Sequence, residues 1–259
     1  MSRSAAGRPV LASHPIDAPG TEESVWAAWS GLDALPDAGL ADVHSAVIVA
    51  AHPDDEVLGA GGLIAALAAS GARLRLVAVT DGEGSHRGRA DRTTLARRRT
   101  AETAAALRAL GAETTDVVRL GLPDSGLAGR EDELTAALGR LIAGFDLCLA
   151  PWDGDMHPDH ETTGRAARRA ARSAGRPGAR GARFLCYPIW MWHWASPGDR
   201  RVPWDRALRV PLAAPAAARK LAAIGCFTSQ TEDRGDGLGP VLPEGVIAHF
   251  NRATEVLLP

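Results

Sequence analysis

Cysteine is scarce in this chain, and its scarcity excludes several kinds of protein. The 259 residues include three cysteines, Cys148, Cys186 and Cys226, which are widely separated, odd in number and set in apolar surroundings. This pattern argues against a disulfide framework and against a CxxC metal site, and it fits a reducing, cytoplasmic setting. An excess of one charge is lacking too: the formal net charge is −2 and both signs are mixed along the chain. No nucleic-acid-binding surface is therefore predicted.

Long apolar runs and a nucleotide-binding turn are also missing. No segment reaches about 18 apolar residues, the length that a membrane-spanning helix needs. The first 42 residues lack the continuous apolar stretch of a signal peptide, so neither secretion nor membrane insertion is expected. The glycines at 59, 61 and 62 lie in a helical pattern rather than in a GxGxxG turn behind a strand. They indicate close helix packing rather than nucleotide binding.

What the chain does contain is a regular alternation of short apolar runs with helical patterns. Apolar residues make up 46% of the sequence, enough for a sizeable core. Strands are predicted over 43–50, 74–80, 117–120, 147–150 and 184–187, and helices over 58–70, 91–110, 131–143 and 159–173. This alternation predicts an α/β fold, a Rossmann-like three-layer sandwich with a mostly parallel sheet.

The two ends of the chain depart from this alternation. A Pro/Gly-rich leader covers residues 1–42, and we expect it to pack on a single domain formed by residues 43–259. From about residue 188 the chain is rich in Pro, Gly and Trp, and this region is predicted to be irregular and to form one wall of a site. Trp190, Trp192 and Trp194 would share one face of an extended segment, either contacting substrate or packing against the sheet or a subunit interface.

Polar side chains are concentrated where the predicted strands end. AHPDDE (51–56), TDGEGSH (80–86), GLPDSG (121–126) and PWDGDMHPDH (151–160) follow the first four strands in turn. Open parallel sheets bind ligands at the carboxyl ends of their strands. These clusters therefore predict one shared site at the edge of the sheet.

Two of these clusters contain the tripeptide His-Pro-Asp. Composition alone predicts about 0.04 such tripeptides in a chain of this length, and two follow predicted strands, at 52–54 and 157–159. Proline and acids suit a helix start with no further role, but that does not account for the histidines. Pro53 favours an extended His52 at the strand end, while Asp55 in the first helical turn can point to the same place. The two side chains can share a metal ion.

A His/Asp/His donor set leaves one position of a tetrahedral ion open, which is the composition of a catalytic zinc site. His52 and Asp55 supply two donors, and either His157 or His160 supplies the third; the residues alone do not choose between them. Iron or cobalt would suit the same donors. Zinc lowers the pKa of a bound water to about 7, and Asp54 is placed to take a proton from such a water.

AHPDDE followed about a hundred residues later by HPDH resembles the PIG-L/LmbE family of zinc-dependent deacetylases. TDGE at 80–83, Arg99, Glu102, LGLPDSGL at 120–127 and the Ser-Gln pair at 229–230 add to the resemblance. It implies removal of an N-acetyl or other N-acyl group, most often from a glucosamine-containing small molecule. It also implies one Zn²⁺ per chain.

The resemblance further implies a role for each residue of the paired motifs. His52, Asp55 and His160 would be the metal ligands, and Asp54 the general base. His157 would stabilise the tetrahedral intermediate or protonate the leaving amine, and Asp159 would orient the ring of His157.

Three residues are candidate substrate contacts, and each has a structural alternative. Arg99 and Asp124 would contact sugar hydroxyls or phosphate, or would be an ordinary helix arginine and a turn aspartate. Trp152 stands just before the second motif and would either contact substrate or pack in the core.

Three functions stay open at the level of the sequence. The first is hydrolysis of the N-acetyl group of an amino-sugar-containing small molecule. The second is hydrolysis of a non-sugar or long-chain N-acyl amide, and the third is metal binding without turnover. Asp54 and His157, which metal binding alone would not require, favour an enzyme. The oligomeric state is not predicted.

Overall fold

A five-stranded parallel sheet forms the centre of the molecule. The computed structural model describes residues 15–16, 18–86, 91–174, 181–234 and 239–259. The sheet consists of β1 (Ser45–Ala50), β2 (Arg73–Thr80), β3 (Asp116–Leu122), β4 (Leu147–Pro151) and β5 (Arg183–Tyr187). Their spatial order is β3-β2-β1-β4-β5, and every neighbouring pair is parallel. The predicted α/β fold with a mostly parallel sheet is confirmed.

Helices flank this sheet. In chain order they are α1 (Glu23–Ala27), α2 (Asp55–Ala69), α3 (Arg92–Leu110), α4 (Glu131–Ile142), α5 (Pro158–Ser173), α6 (Met191–Trp194), α7 (Ala214–Ile224), α8 (Thr228–Thr231) and α9 (Glu244–Ala248). Among these described helices, none has the length and apolar character needed to cross a membrane.

Alternate residues of β1 belong to two separate cores, which gives the three layers. Ile48 packs in the core that contains Leu63 of α2, whereas Val47 and Val49 pack in the core that contains Leu138 of α4. All six residues of β1 are buried. A strand that is covered on both faces has a continuous run of β-branched and apolar residues in its sequence. Such a run at residues 43–50 is what predicts β1.

The predicted elements are all present, with shifts of up to three residues at their ends. Local capping explains the best-defined boundaries. Asp91 accepts hydrogen bonds from the backbone N–H groups of Thr93 and Thr94 at the start of α3, and Gly111 ends that helix with a φ of 71°, a conformation that favours glycine. Helix α2 begins three residues earlier than predicted, at Asp55, inside the first polar cluster.

The strand order reverses between β1 and β4. The chain adds β2 and β3 on one side of β1, then returns to place β4 and β5 on the other side. The crevice outside the carboxyl ends at such a reversal is where open α/β sheets bind ligands. His52 follows β1, and His157 and His160 follow β4. Both His-Pro-Asp motifs therefore lie at this crevice.

The C-terminal region is more regular than its composition suggested, so the expectation of irregular structure is wrong for part of it. β6 (Leu208–Pro211) and β7 (Thr254–Leu257) pair as an antiparallel sheet. Helix α7 carries a proline in its first turn, where proline is compatible with a helix. The strand pairing joins distant residues, and a local sequence pattern carries no signal for such a pairing.

The expected extended tryptophan segment is also wrong, because residues 191–194 form α6. A helical backbone sends its side chains in different directions. Trp192 packs edge-on against Trp26, with ring centroids 5.0 Å apart. Trp194 stacks on Trp152 with an angle of 19° between the rings. The three tryptophans therefore do not share one face.

The described part of the leader contacts the C-terminal region. Trp26 is fully buried and donates a hydrogen bond from Nε1 to the carbonyl oxygen of Trp192 (2.9 Å). Glu23 of α1 pairs with His249 and Arg252. Residues 1–14 and 17 lie outside the described part of the chain. The division into a leader over 1–42 and one domain over 43–259 stays a prediction.

Candidate active site

A cavity of about 210 Å³ opens at the carboxyl ends of the strands, beside the reversal point. The two motifs contribute His52, Asp54, Asp55, His157 and His160 to its lining. The other polar residues in the lining are Gly84, Ser85, Arg99, Asp124, Ser125 and Gln230, and the apolar ones are Leu58, Ile189, Trp190, Val241 and Leu242. Segments that follow β1, β2, β3 and β4 thus meet in one cavity, as the position of the polar clusters predicted.

Three side chains in this cavity form a compact triangle of donor atoms. His52 Nδ1 lies 3.2 Å from His160 Nε2. Asp55 lies 3.5 Å from His52 Nδ1 through Oδ2 and 3.3 Å from His160 Nε2 through Oδ1. Tetrahedral zinc with bonds of about 2.0–2.1 Å separates its donors by about 3.3 Å. The residues present therefore fit a single tetrahedral ion.

The opposite edge of the His52 ring faces carboxylates. His52 Nε2 lies 3.2 Å from Asp159 Oδ2 and 3.5 Å from Asp124 Oδ1. If Nε2 carries the proton and donates it to Asp159, the Nδ1 lone pair is free to bind an ion. Burial lowers the pKa of His52, but hydrogen bonds to Asp124, Asp159 and Asp55 raise it well above its usual value. The site thus favours a positive charge on or beside this ring.

Asp159 contacts both motif histidines, one through its side chain and one through its backbone. Its carboxylate contacts His52 and also accepts hydrogen bonds from the backbone N–H groups of Ser125 (2.8 Å) and Leu127 (3.2 Å). Its backbone N–H donates to Nδ1 of His157 (3.3 Å), which caps α5. The side chain turns toward His52 because the loop after β3 supplies two donors there. The side chain of Asp159 thus contacts His52 and its backbone N–H contacts His157, and its role in orienting the His157 ring stays a prediction.

His160 is held by a carboxylate that the sequence did not single out. Asp155 is fully buried, and its Oδ2 lies 2.7 Å from His160 Nδ1. The same carboxylate accepts hydrogen bonds from the backbone N–H groups of Ile189, Trp190 and Met191, at 2.9 to 3.0 Å. A proton on Nδ1, shared with Asp155, leaves Nε2 of His160 as the donor atom. Burial lowers the pKa of His160, but the charge of Asp55 and the hydrogen bond with Asp155 raise it to about 9.

His157 lies next to the triangle in a different hydrogen-bonding state. Its ring stacks on that of His160, with centroids 4.4 Å apart. Because its Nδ1 accepts a hydrogen bond from the backbone, a neutral ring carries its proton on Nε2. Burial and the neighbouring His160 and His52 lower the pKa of His157 to about 2. Among the described residues, two sets of three side chains have ligand atoms within 4.8 Å of one another. One set is His52, His157 and His160, and the other is His52, Asp124 and Asp159.

Asp54 lies beside the triangle in an unusual backbone conformation. Its φ is 119°, a value that residues other than glycine rarely adopt. The other non-glycine residues with positive φ in the described ranges are Ser125 and Met156, which lie in the loops after β3 and β4. Unusual backbone of this kind clusters at functional sites. Burial raises the pKa of Asp54 to about 7, although the charge of Arg99 opposes the rise.

The three candidate substrate contacts differ in their surroundings. Asp124 lines the cavity and is held by the backbone N–H of Gly84 (2.8 Å). Arg99 also lines the cavity, but it is 2% exposed and its hydrogen bonds go to protein groups. Trp152 is buried in the core against Trp194 and is not among the residues that line the cavity. A substrate contact through Trp152 stays a prediction.

Several lining and supporting residues are not among the site residues that the sequence predicts. Asp155 is one of many acids in its segment, although its place two residues before HPDH, behind a strand, is a usable signal. Ile189 comes from a segment with no polar motif, and Leu242 from a loop 82 residues after His160. Gln230 enters through the Ser-Gln pair, which Glu102 anchors by accepting hydrogen bonds from the N–H and hydroxyl of Ser229. Nothing in the local sequence brings these residues together.

The parallel sheet and the His/Asp donor set at its reversal point place this protein in a class. It is a Rossmann-like α/β protein with a candidate metal site. Residues 47–171, a little under half of the chain, match the PIG-L family, described as GlcNAc-PI de-N-acetylase. The matched residues include both His-Pro-Asp motifs.

The chain is also similar to known proteins over a wider range of residues. The 1D-myo-inositol 2-acetamido-2-deoxy-alpha-D-glucopyranoside deacetylase of Streptomyces avermitilis is 35% identical over 175 residues, which are 56% of this chain and 57% of that protein. The chain thus spans little more than half the length of the curated relatives it matches.

Two solved structures share the fold at low sequence identity. The N,N'-diacetylchitobiose deacetylase from Pyrococcus horikoshii has a TM-score of 0.58 and 24% identity, covering 75% of this chain and 73% of its own. The 4-carboxy-2-hydroxymuconate hydratase GalB from Pseudomonas putida KT2440 has a TM-score of 0.54 and 22% identity, covering 72% and 79%. These two proteins carry out different reactions, so the reaction of this chain has to be argued from its site.

Proposed function

We propose that this protein is a metal-dependent hydrolase that removes an N-acetyl group from an amino-sugar-containing small molecule. One observation carries the proposal: His52 Nδ1, His160 Nε2 and the two carboxylate oxygens of Asp55 lie 3.2 to 3.5 Å apart across the three side chains, in a cavity that Asp54 and His157 also line. The match of residues 47–171 to the PIG-L family supports amide hydrolysis. The names of the relatives support an N-acetylated amino sugar as the substrate class.

His52, Asp55 and His160 would hold the ion. The hydrogen-bonding state supports His160 over His157 as third ligand, because Asp155 shares the Nδ1 proton of His160 and leaves its Nε2 lone pair free. The Nε2 of neutral His157 carries a proton and is a donor rather than a ligand. Two histidines and one carboxylate favour zinc, though iron or cobalt suit these donors too. When bound, zinc would polarise the amide carbonyl and make a bound water more acidic.

Asp54 and His157 would move the protons. Asp54 is the general base that accepts a proton from the attacking water, and its side chain lines the same cavity as the donor triangle. His157, with its proton on Nε2, donates to the oxyanion of the tetrahedral intermediate or to the departing amine nitrogen. Positioned acid and base groups of this kind contribute about 10²–10⁴-fold each to a rate. Neither residue is needed for metal binding alone.

The polar side of the cavity would bind the hydroxyl groups of the sugar. Asp124 Oδ1 accepts a hydrogen bond from the Ser125 hydroxyl (3.1 Å), and Gln230 donates to the Ser85 hydroxyl (3.3 Å). Each of these two pairs has further donor and acceptor capacity. A cavity of about 210 Å³ is small beside the range of about 300–1,000 Å³ for drug-sized ligands. It suits one sugar ring and a short acyl group.

A second candidate substrate class is an amide with a longer N-acyl chain. Leu58, Ile189, Trp190, Val241 and Leu242 give the cavity an apolar part. Leu58 lies one turn after Asp55 on α2, so apolar surface lies beside a proposed metal ligand. A longer alkyl chain would gain about 0.8 kcal/mol for each CH₂ group that this surface buries.

An amine-release assay tests the proposal. N-acetyl, N-butyryl and N-octanoyl glucosamine conjugates would be compared with and without a chelator, using the wild type and Asp54→Asn. We expect chelator-sensitive release that is strongest for N-acetyl substrates. Asp54→Asn should keep the metal and lose at least about 100-fold in kcat.

Each alternative outcome has a distinct meaning. A rate that rises with chain length would favour the second substrate class. Metal binding without release from any conjugate would favour a binding protein. Full activity of Asp54→Asn would contradict the assigned base.

A further inference from the structure

We infer that Glu255 is a positioning residue for the candidate metal site. Its carboxylate holds a kink in α2, and this kink directs the first turn of the helix, which carries Asp55, into the cavity. The inference rests on the proposed function, in which Asp55 is a metal ligand. Glu255 lies on β7, far from α2 along the chain, and the proposed reaction gives it no role.

Helix α2 is interrupted at Ala60. The backbone of this residue has a φ of −143° and a ψ of 16°, far from the helical values of about −63° and −42°. The turn before Ala60 carries Asp55 and Leu58, which both line the cavity. The residues after it, 61–69, are not among those that line the cavity. Helix α2 therefore consists of a short first segment that reaches the site and a longer second segment that does not.

The carboxylate of Glu255 binds the backbone directly after this interruption. Its Oε1 accepts a hydrogen bond from the N–H of Gly62 (2.7 Å), and its Oε2 accepts one from the N–H of Leu63 (2.9 Å). In a regular α-helix these two groups donate to the carbonyl oxygens four residues earlier, which are those of Leu58 and Gly59. A charged acceptor forms stronger hydrogen bonds than a carbonyl, so the carboxylate favours the interrupted helix over the straight one.

This carboxylate is itself fixed and shielded from solvent. Nζ of Lys220, on α7, donates a hydrogen bond to Oε1 of Glu255 (2.8 Å), and the two residues are 3% and 4% exposed. A buried ion pair is weak evidence for stability, because apolar side chains of similar volume often replace one without loss. Stability alone therefore does not account for the pair, whereas a role in fixing the geometry of α2 does.

Two glycines show that the two segments of α2 pack closely on different partners. An ideal Cβ built at Gly59 would lie 2.2 Å from Cδ2 of Tyr187. One built at Gly62 would lie 2.4 Å from Cδ1 of Leu212. Tyr187 belongs to β5 of the central sheet, and Leu212 directly follows β6. The kink gives the two segments separate directions, so each can meet its own partner.

A purely structural role is the alternative, and the two roles predict different metal binding. Loss of a structural pair lowers the melting temperature and leaves the metal affinity of the folded protein unchanged. Loss of a positioning residue moves Asp55 relative to His52 and His160, which weakens metal binding even where the protein is fully folded. Residues that support metal ligands contribute about 10–100-fold to metal affinity.

The test replaces both charges together, so that neither is left buried without its partner. Lys220→Met with Glu255→Met removes both acceptor oxygens, and Lys220→Met with Glu255→Gln keeps one. Leu138→Ala is the control, because it removes core packing on the opposite face of the sheet from α2.

Competition with a chromophoric chelator would measure the Zn²⁺ affinity, at a temperature at which thermal unfolding shows each variant to be folded. We expect affinity to fall about 10–100-fold in the first double variant and less in the second. The control should change by less than about twofold, because distant sites act independently. The second double variant carries the same comparison if the first does not fold.

A crystal structure of the double variant without metal gives a readout that does not depend on activity. We expect Ala60 to adopt helical torsion angles and Asp55 to leave its 3.3 Å distance from His160 Nε2. An unchanged Ala60, an unchanged zinc affinity, or an equal loss in the control would overturn the inference. If the wild type binds zinc and releases no amine, but the variant shows both changes, the proposed function fails and the positioning role stands.

Discussion

Replacing Asp155 by asparagine should weaken both the fold and the metal site. Oδ1 of Asp155 accepts hydrogen bonds from the N–H groups of Ile189 and Met191, and Oδ2 serves Nδ1 of His160 and the N–H of Trp190. An asparagine has one acceptor oxygen, so either orientation of its amide leaves two of the four donors without a partner. Each buried group left unsatisfied costs about 1–3 kcal/mol, which gives a loss of about 2–6 kcal/mol in the free energy of unfolding.

The effect on metal affinity has a separate cause. Asp155 holds the Nδ1 proton of His160 and thereby sets which nitrogen faces the donor triangle. Loss of such a supporting contact costs about 10–100-fold in metal affinity. Thermal unfolding of the metal-free protein measures the first effect, and competition with a chromophoric chelator measures the second. We expect a fall in melting temperature of at least about 4 °C.

Asp153→Asn is the matched control for this prediction. Asp153 lies two residues earlier, pairs with Arg168 at 3.2 Å, and has a partly exposed side chain. Ion pairs within reach of solvent contribute about 0–1 kcal/mol, and an asparagine keeps one acceptor for Arg168, so this variant should lose far less stability than Asp155→Asn. If Asp155→Asn matched the control in both melting temperature and metal affinity, the reasoning about His160 would be refuted.

Three further predictions follow from the described contacts. His160→Ala should lose bound metal while His157→Ala keeps it and loses activity; elemental analysis showing the reverse would exchange their roles. Glu255→Gln should cost about 3–5 kcal/mol in denaturant unfolding, because it leaves the buried ammonium of Lys220 without its partner at 2.8 Å; an unchanged midpoint would contradict this. Burial alone would raise the pKa of Glu23, but hydrogen bonds with His249 and Arg252 outweigh burial and bring this pKa below its usual value of 4.5. The stability advantage of the wild type over Glu23→Gln should therefore be present at pH 7 and disappear as the pH falls below 4.5; an advantage that persisted in acid would rule this out.

The sequence predicted the sheet and its flanking helices well because their signals are local. Val47 and Val49 belong to a run that is buried on both faces, and Gly111 marks the end of α3 where a positive φ is needed. The same rhythm of strands and helices indicated where the polar clusters would meet. His52, Asp55 and His160 were proposed as ligands from the paired motifs and the resemblance, and the structure brings them together.

What the sequence could not predict depends on contacts between distant segments. Asp155 receives N–H groups from residues 189–191, more than thirty positions away, and no periodic pattern encodes that approach. From the sequence, Arg99 is an ordinary helix arginine, whereas in the structure it donates hydrogen bonds to the carbonyl oxygens of Gly82 and Pro53. The alternate spacing of Trp190, Trp192 and Trp194 predicts an extended segment. Tertiary packing instead produces a short helix over residues 191–194.

Removal and restoration of the metal test the central claim most directly. The protein would be stripped with a chelator, and amine release from an N-acetylglucosamine conjugate would be followed as Zn²⁺ is added back. We predict that release is lost in the stripped protein and returns in step with one ion bound per chain, and that His160→Ala shows neither. Undiminished release from the stripped protein, or binding of one ion with no release, would contradict the account.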